Sequence, residues 1–269
     1  MSRFCTASIA QIDEMLDWAA AEGWNPGLAD AAAFHASDPA GFFVALDDAR
    51  PVAAISVVNH GPDFAFLGLY IVRPAYRGRG IGYGLWQFAL AHAGARSVGL
   101  DGVPEQQANY AASGFVLAGR TRRFSGHVTP RAHPIRLAEE GDINAMIAAE
   151  AACSGTEKPR YLRAWFTQDP ERKTLIDEGG FCTVRRCRDG AKIGPLVAQD
   201  AAAATRLIQH AARHYGTALI IDVPETSTAL SEICAGFDMQ PSFETARMYR
   251  GPAPVGSGGL YAVTTLELG

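Results

Sequence analysis

The stretch that decides the fold is Leu69-Tyr70-Ile71-Val72-Arg73-Pro74-Ala75-Tyr76-Arg77-Gly78-Arg79-Gly80-Ile81-Gly82-Tyr83-Gly84-Leu85-Trp86. It reads as the end of an apolar strand, a tight loop and a helix start. Glycines at 78, 80, 82 and 84 let the backbone approach a ligand closely and take dihedrals closed to other residues. The first turn of the helix offers unpaired N–H groups at the positive end of its dipole. Together these features make a cradle for a pyrophosphate, and Arg77 and Arg79 add positive charge beside it. Two other phosphate-binding patterns fit less well. A P-loop needs Gly-Lys-Ser/Thr at the helix start, whereas Gly82 is followed by Tyr83 and Gly84. A dinucleotide fingerprint needs a third glycine where this chain has Tyr83 or Leu85. Asp101 does lie about 20 residues on, where a ribose-binding acid would sit, so this pattern is weakened and not eliminated.

Outward from the loop, the order of elements is that of an α/β unit. Residues 8–21 carry Ile9, Ile12, Leu16 and Ala19 at helical spacing. The turn residues Gly23-Trp24-Asn25-Pro26-Gly27 end that helix. Residues 42–46 and 52–58 read as strands around a turn at 47–51. Residues 64–72 are continuously apolar, the mark of a central strand. After the loop, 85–95 carry a helical pattern, 97–100 a short strand, 105–113 a helix, and strand resumes at Phe115.

Much of this order recurs. A helix is expected over 135–150, entered from a strand end at Arg136-Leu137. A hairpin at 181–198 turns around Arg188-Asp189-Gly190, and a helix follows over 200–215. A strand at 218–222 and a helix near 225–235 complete the series. Leu100-Asp101-Gly102-Val103-Pro104-Glu105 resembles Ile221-Asp222-Val223-Pro224-Glu225, and Gly114-Phe115 resembles Gly236-Phe237. So long a repeat indicates duplication of one α/β unit. The expected division is 1–127 and 128–269. The linker falls at 126–134, a stretch with two prolines and two histidines.

Composition narrows the function classes. With 269 residues, 48% of them hydrophobic, the chain can bury a core of domain size. Net charge is -4, and nothing basic enough to suggest a nucleic-acid or membrane partner stands out. No apolar run is long enough to span a bilayer, and Met-Ser-Arg-Phe-Cys-Thr does not read as a signal peptide. The five cysteines are odd in number and scattered, which fits a reducing, cytoplasmic setting rather than a disulfide framework. Cys182 and Cys187 read as strand-lining thiols. His210 and His214, at i and i+4, lack a third ligand, so no metal is expected. Arg120, Arg122 and Arg123 alternate faces of a late strand, as surface or interdomain charges.

The spacing Arg77-x-x-Gly80-x-Gly82 after Val72-Arg73-Pro74 resembles the acyl-CoA motif of the GNAT superfamily of N-acetyltransferases. Tyr110-Ala111-Ala112-Ser113-Gly114-Phe115 resembles that family's Tyr-x-x-x-Gly-Phe segment. The resemblance covers residues 4–125. The second half looks like the divergent C-terminal domain of tandem bacterial members, through Lys192-Ile193-Gly194-Pro195-Leu196 and Arg247-Met248-Tyr249-Arg250-Gly251. The implied fold is α/β, with two GNAT-like domains in tandem. Each is a mostly antiparallel mixed (α+β) sheet flanked by helices.

The resemblance implies that acetyl-CoA, or another acyl-CoA, lays its pyrophosphate on Arg77, Gly78, Arg79, Gly80, Ile81 and Gly82. Its pantetheine arm would pair with backbone at Ile71 and Val72. An N–H there could stabilise the oxyanion formed on attack at the thioester. Tyr110 is the candidate general acid, because a phenol with a pKa of about 10 stays protonated to meet a departing thiolate. As a buried aromatic with a satisfied hydroxyl it would be merely structural, and the two readings weigh evenly. Trp24 borders the region where such proteins hold the acceptor, and it is read as a substrate contact.

Two departures from the family pattern stand out. Val103 occupies the place of an asparagine often found seven residues before the tyrosine. Residues 64–72 contain no glutamate to act as base. Asp63, His60, Tyr70 or an ordered water remain for that role, and the base is unassigned. The second half is expected to bind no acyl-CoA. Its loop Leu196-Val197-Ala198-Gln199-Asp200-Ala201 lacks glycine and arginine, and Glu232 stands where Tyr110 stands. Asp200 is a good helix N-cap whose carboxylate would repel a phosphate. The function implied is acyl transfer to a primary amine of a small molecule or protein, by direct attack. The alternative is a non-catalytic acyl-CoA sensor or regulatory protein. Neither nucleic acid nor membrane is an expected partner, and self-association is left open.

Overall fold

A computed structural model describes residues 2–269. The first half contains β1 (Arg3–Thr6), α1 (Ile9–Ala21), α2 (Asp30–Ser37), β2 (Phe42–Asp47), β3 (Arg50–Asn59) and β4 (Phe64–Val72). It continues with α3 (Ile81–Leu90), β5 (Ser97–Gly102), α4 (Gln107–Ala112) and β6 (Val116–His127). The second half contains β7 (Arg136–Leu137), α5 (Ile143–Ser154), α6 (Pro159–Phe166), β8 (Arg172–Asp177), β9 (Gly180–Arg186) and β10 (Ala191–Ala198). It closes with α7 (Ala201–Ala211), β11 (Ala218–Pro224), α8 (Thr228–Gly236), β12 (Gln240–Arg250) and β13 (Leu260–Ala262).

Local chemistry fixes the ends of several elements. Ser8 and Gln11 form a reciprocal capping box at the start of α1. Asp200 caps α7 by accepting from the Ala203 N–H. Pro159 opens α6, where its missing N–H costs nothing, and Tyr161, Leu162, Trp165 and Phe166 are buried along that helix. Several expectations shift. α3 begins at Ile81, earlier than its apolar spacing suggests, and the helix expected from 135 begins at Ile143. Gly126 and His127, read as linker, are still in β6.

The two sheets are one. The strands run β1-β2-β3-β4-β5-β12-β6-β11-β10-β9-β8-β7, with β13 on β10. The halves exchange their late strands. β12, from the second half, pairs with β5 (Met248 opposite Leu100), and β6, from the first, pairs with β11 (Phe124 opposite Ile221). A further core lies between the halves, where α1 and α2 meet α5 and α6. Phe34 stacks on Trp165 there at 6.2 Å.

Each half has a wedge where two parallel strands part. β4 and β5 are paired only from Phe64–Ser97 to Leu67–Leu100, and β10 and β11 only from Ala191–Leu219 to Ile193–Ile221. The second wedge is filled by the chain itself. β13 pairs with β10 (Ala262 opposite Leu196), and the Val263 N–H donates to the Asp222 carbonyl of β11 at 3.2 Å. The closing segment then crosses to the first half, where Leu266 and Glu267 line the edge of the first wedge. Gly194 and Gly68, the first residues past the parallel pairing in each half, make room for it. A Cβ at either would collide with backbone carbonyls, of Val263 and Thr264 or of Glu267.

Candidate active site

The first wedge opens because β4 carries a bulge. Ala54 faces Ile71 and Ser56 faces Gly68, so Leu69 and Tyr70 together oppose Ile55. Leu69 takes φ 49, a conformation that re-aims the strand. The Arg73 N–H donates to Val52 on β3 at 3.0 Å. By strand alternation the Val72 N–H points the other way, into the wedge. In the second half the corresponding N–H of Ala198 is taken by the Gly259 carbonyl at 3.1 Å.

The glycine-rich loop divides its labour. Gly78 and Gly80 both adopt φ 75, and Gly80 is the N-cap of α3. The Gly84 N–H reaches back to the Gly80 carbonyl, so those of Ile81, Gly82 and Tyr83 have no intrahelical acceptor. Gly82 and Gly84 seat the helix. A Cβ on Gly82 would lie 2.6 Å from the Tyr70 hydroxyl, and one on Gly84 2.8 Å from Phe4. Arg77 donates through Nε to the Val72 carbonyl at 2.8 Å and pairs with Glu22. Arg79 lies over the Tyr76 ring at 5.1 Å.

Tyr110, on α4, is buried and stacked on Trp86 at 5.5 Å. It lines two clefts at once. One lies between α3 and α4 and is bordered by Tyr83, Gln87, Asn109 and Ser113. The other is a narrow cavity of about 60 Å³ bordered by Trp24, Leu69, Val103, Phe243 and Glu267. Tyr70, Gln106 and Tyr110 are common to both. Burial, with a smaller contribution from Tyr70, pushes the Tyr110 pKa well above the ordinary phenol value, so its hydroxyl stays protonated.

The wall carrying Trp24 is held by the second half together with Arg123 of β6. The Asn25 amide donates to the Asp189 carbonyl at 2.7 Å, and the Leu28 N–H to the Arg186 carbonyl at 2.9 Å. The Trp24 carbonyl accepts from Arg123 at 2.8 Å and from Lys192 at 3.2 Å. Arg123 is forked onto Asp222 at 2.7 and 2.9 Å. Lys192 is buried, and burial followed by repulsion from Arg123 lowers its pKa. Arg185, equally buried, lies 3.3 Å from Asp30. Of the three clustered arginines, Arg120 and Arg122 pair with Glu244 across the exchanged strands, while Arg123 is part of this buried seam.

The residues considered as base scatter. Asp63 borders a separate surface cleft, and Tyr70 lies in the wedge. His60 is buried outside it and donates through Nε2 to the Leu268 carbonyl at 2.8 Å. Burial and then Lys158 push the His60 pKa down to about 3, so the ring is neutral. Two carboxylates line the cleft: Asp101, which is paired with Arg247, and Glu267, which sequence reasoning missed. Its one signal is a single acid in the apolar run Leu266-Glu267-Leu268. His210 and His214 lie side by side, their ring centroids 5.7 Å apart. No group of three metal-ligating side chains occurs among the described residues. No helix there is long and apolar enough to cross a membrane.

Comparison with known proteins agrees with this geometry. Residues 9–115 match the acetyltransferase (GNAT) family, and residues 146–262 match a second acetyltransferase (GNAT) domain. The chain is 33% identical to the holothin acyltransferase of Pseudoalteromonas sp. (strain SANK 73390), over 98% of this chain and 93% of that one. It is 26% identical to the uncharacterized N-acetyltransferase YitH of Bacillus subtilis, over 76% of each. In fold it resembles a putative acetyltransferase from Pyrococcus horikoshii, with a TM-score of 0.86, 21% identity and coverage of 100% and 96%. It also resembles a tandem GNAT protein of the clavulanic acid biosynthesis pathway, with a TM-score of 0.60, 16% identity and coverage of 94% and 99%. A chain with one wedge held open and the other filled, 33% identical to an acyltransferase over nearly its whole length, belongs to the GNAT superfamily: an acyl-CoA-dependent acyltransferase with two GNAT-like domains in tandem, the second divergent.

Proposed function

We propose that the chain is an N-acetyltransferase that uses the first wedge alone and transfers an acetyl group from acetyl-CoA to a primary amine by direct attack. The observation that carries this reading is the position of Tyr110, a buried and protonated hydroxyl shared by two clefts. The loop from Arg77 to Gly82 binds the pyrophosphate through its free N–H groups, with Arg77 and Arg79 adding charge. The Ile71–Val72 backbone holds the pantetheine arm, and the Val72 N–H is its donor. The bulge at Leu69–Tyr70 supplies backbone N–H groups to the oxyanion. Tyr110 gives its proton to the leaving thiolate, and Trp24 is a wall of the acceptor cleft. The divisions at 1–127 and 128–269 then differ in role: the first carries the reaction and the second shapes the acceptor side.

The reading is tested by titrating purified protein with acetyl-CoA in a calorimeter, then following thiol release with an amine panel. The Pseudoalteromonas relative is a holothin acyltransferase, so holothin is the first acceptor to try. Saturable acetyl-CoA binding and amine-dependent thiol release are expected. Binding without thiol release under any amine would leave a sensor in place of an enzyme.

A further inference from the structure

The geometry points to Glu267 as the catalytic group that receives the acceptor amine and its proton, in a subsite that takes a primary amine on a compact apolar frame. The inference rests on the acyltransfer reading above and deepens it.

Glu267 is 3% exposed and lines the cleft beside Tyr70 and Tyr110. Its Oε2 has no hydrogen-bond partner among the described residues. The other charged groups of the cleft are spent. Asp101 holds Arg247 at 2.6 and 3.0 Å and also accepts from Thr245, while Arg123 holds Asp222 and the Trp24 carbonyl. A buried carboxylate oxygen left unpaired is costly, and a donor arriving with the substrate removes that cost. The backbone carrying Glu267 is fixed. It lies against Gly68, just before the bulge, and the neighbouring Leu268 carbonyl accepts from His60. Lys158 and Tyr161 bind the rest of this segment, at Gly269 and Thr265. The position left empty by the missing strand glutamate is thus filled by an acid about 200 residues further along the chain.

The remaining walls of the cleft are mostly apolar or aromatic: Trp24, Leu67, Leu69, Leu100, Val103 and Phe243, while Thr245 is bonded to Asp101 and Gln106 to Asn109. They would leave the amides of a peptide or the second charge of a polyamine without partners. An amine joined to a small apolar body buries that body and presents one donor.

The proton balance closes. The carboxylate of Glu267 takes one proton from the substrate ammonium, freeing the nitrogen lone pair. The C–N bond forms at the thioester carbonyl as the C–S bond breaks. The thiolate takes the Tyr110 proton, and the second nitrogen proton returns to Tyr110. Glu267 then releases its proton to solvent. The sum is ammonium plus thioester to amide, thiol and one proton.

The test uses the full chain with 2-phenylethylamine, spermidine and a lysine-bearing tetrapeptide as probes, alongside Glu267→Gln and Glu267→Asp. Wild type is expected to prefer 2-phenylethylamine at least tenfold in kcat/KM. Glu267→Gln should lower that kcat/KM by on the order of 100-fold or more, the usual scale for losing a positioned base. Glu267→Asp keeps the charge in the cleft but withdraws the carboxylate by one methylene, and should lose about tenfold. Both variants should bind acetyl-CoA within twofold of wild type, with unchanged thermal midpoints. If the Gln variant does not fold, the Asp variant decides. Wild-type turnover in either folded variant overturns the assignment. A preference for spermidine or the peptide, or no turnover with any probe by a wild type that binds acetyl-CoA, overturns the substrate class. Failure of wild type to bind acetyl-CoA would instead remove the acyltransfer reading beneath it.

Discussion

The two wedges start from the same plan and end in opposite states. In both, a parallel strand pair parts after a few residues and the outer strand bulges at once, between Gly68 and Ile71 in one half and between Ile193 and Leu196 in the other. In the first, a glycine-rich loop with two positive-φ turns leads into α3, and by strand alternation the Val72 N–H faces the wedge. In the second, Asp200 occupies the cap of α7 and β13 takes the strand edge. A chain that fills one wedge with its own backbone closes that strand edge and gains a wall, because the same segment runs on to line the wedge that stays open. Two frames of one plan thus differ in what the loops and the closing segment do at the strand edge.

The difference can be broken most severely at the two helix starts. Gly82→Asp drives a side chain against Tyr70 and Val72 and places a negative charge at the phosphate cradle. Acetyl-CoA affinity should fall by on the order of 100-fold or more. Ala202→Asp, at the matching exposed position of α7, should leave it unchanged. Calorimetric titration of both variants checks this, and retained tight binding in Gly82→Asp would refute the site.

At the next level, Tyr110→Phe should slow turnover by roughly 10²–10⁴-fold with acetyl-CoA binding intact, since only the proton donor is lost. Glu232→Gln, at its exposed counterpart, should do nothing. Wild-type turnover in Tyr110→Phe would end its role as acid.

The paired glycines sharpen the comparison further. Gly68→Ala and Gly194→Ala each force a methyl group onto carbonyls of the closing segment, and each should cost on the order of 1–3 kcal/mol in chemical denaturation. Only Gly68→Ala should also slow turnover, because it displaces Glu267. Equal turnover losses in the two would show that the segment acts through stability alone.

The smallest effect is in pH. The folded His60 pKa is lowered to about 3, below the unfolded value, so between the two the unfolded chain binds one more proton. Stability therefore falls as pH drops below about 6.5, by about 1.4 kcal/mol per pH unit at most from this group. His60→Gln should remove that component. Denaturation midpoints at pH 7, 6 and 5 would show a shallower acid decline than in wild type.

Much of the first site was legible because it is local. Residues 64–72 were read to the residue from an unbroken apolar run, and the loop at 77–82 and the segment at 110–115 each carry their pattern within six consecutive residues. α2 left no such trace. It is a short Ala-rich segment with no side-chain cap and no clear apolar face. The exchange of β6 and β12 was invisible for a different reason. Alternation reports which face of a strand is buried, not which strand lies beside it. The base escaped for the same reason, since its place in space is set by an interaction with Gly68 that spans most of the chain.

The exchanged strands also set the order of assembly. The edge of β5 is covered by residues 246–250, and Asp101 meets Arg247 across a separation of 146 residues. During synthesis the first half therefore emerges with β5 exposed, and it cannot be capped until nearly the whole chain has been made. A growing chain of this kind carries a bare strand edge, a template for pairing with other chains, for most of its time on the ribosome. Contacts this distant make for slow folding, and a stop in translation before β12 would leave a half that holds the whole phosphate loop but has no partner with which to close its sheet.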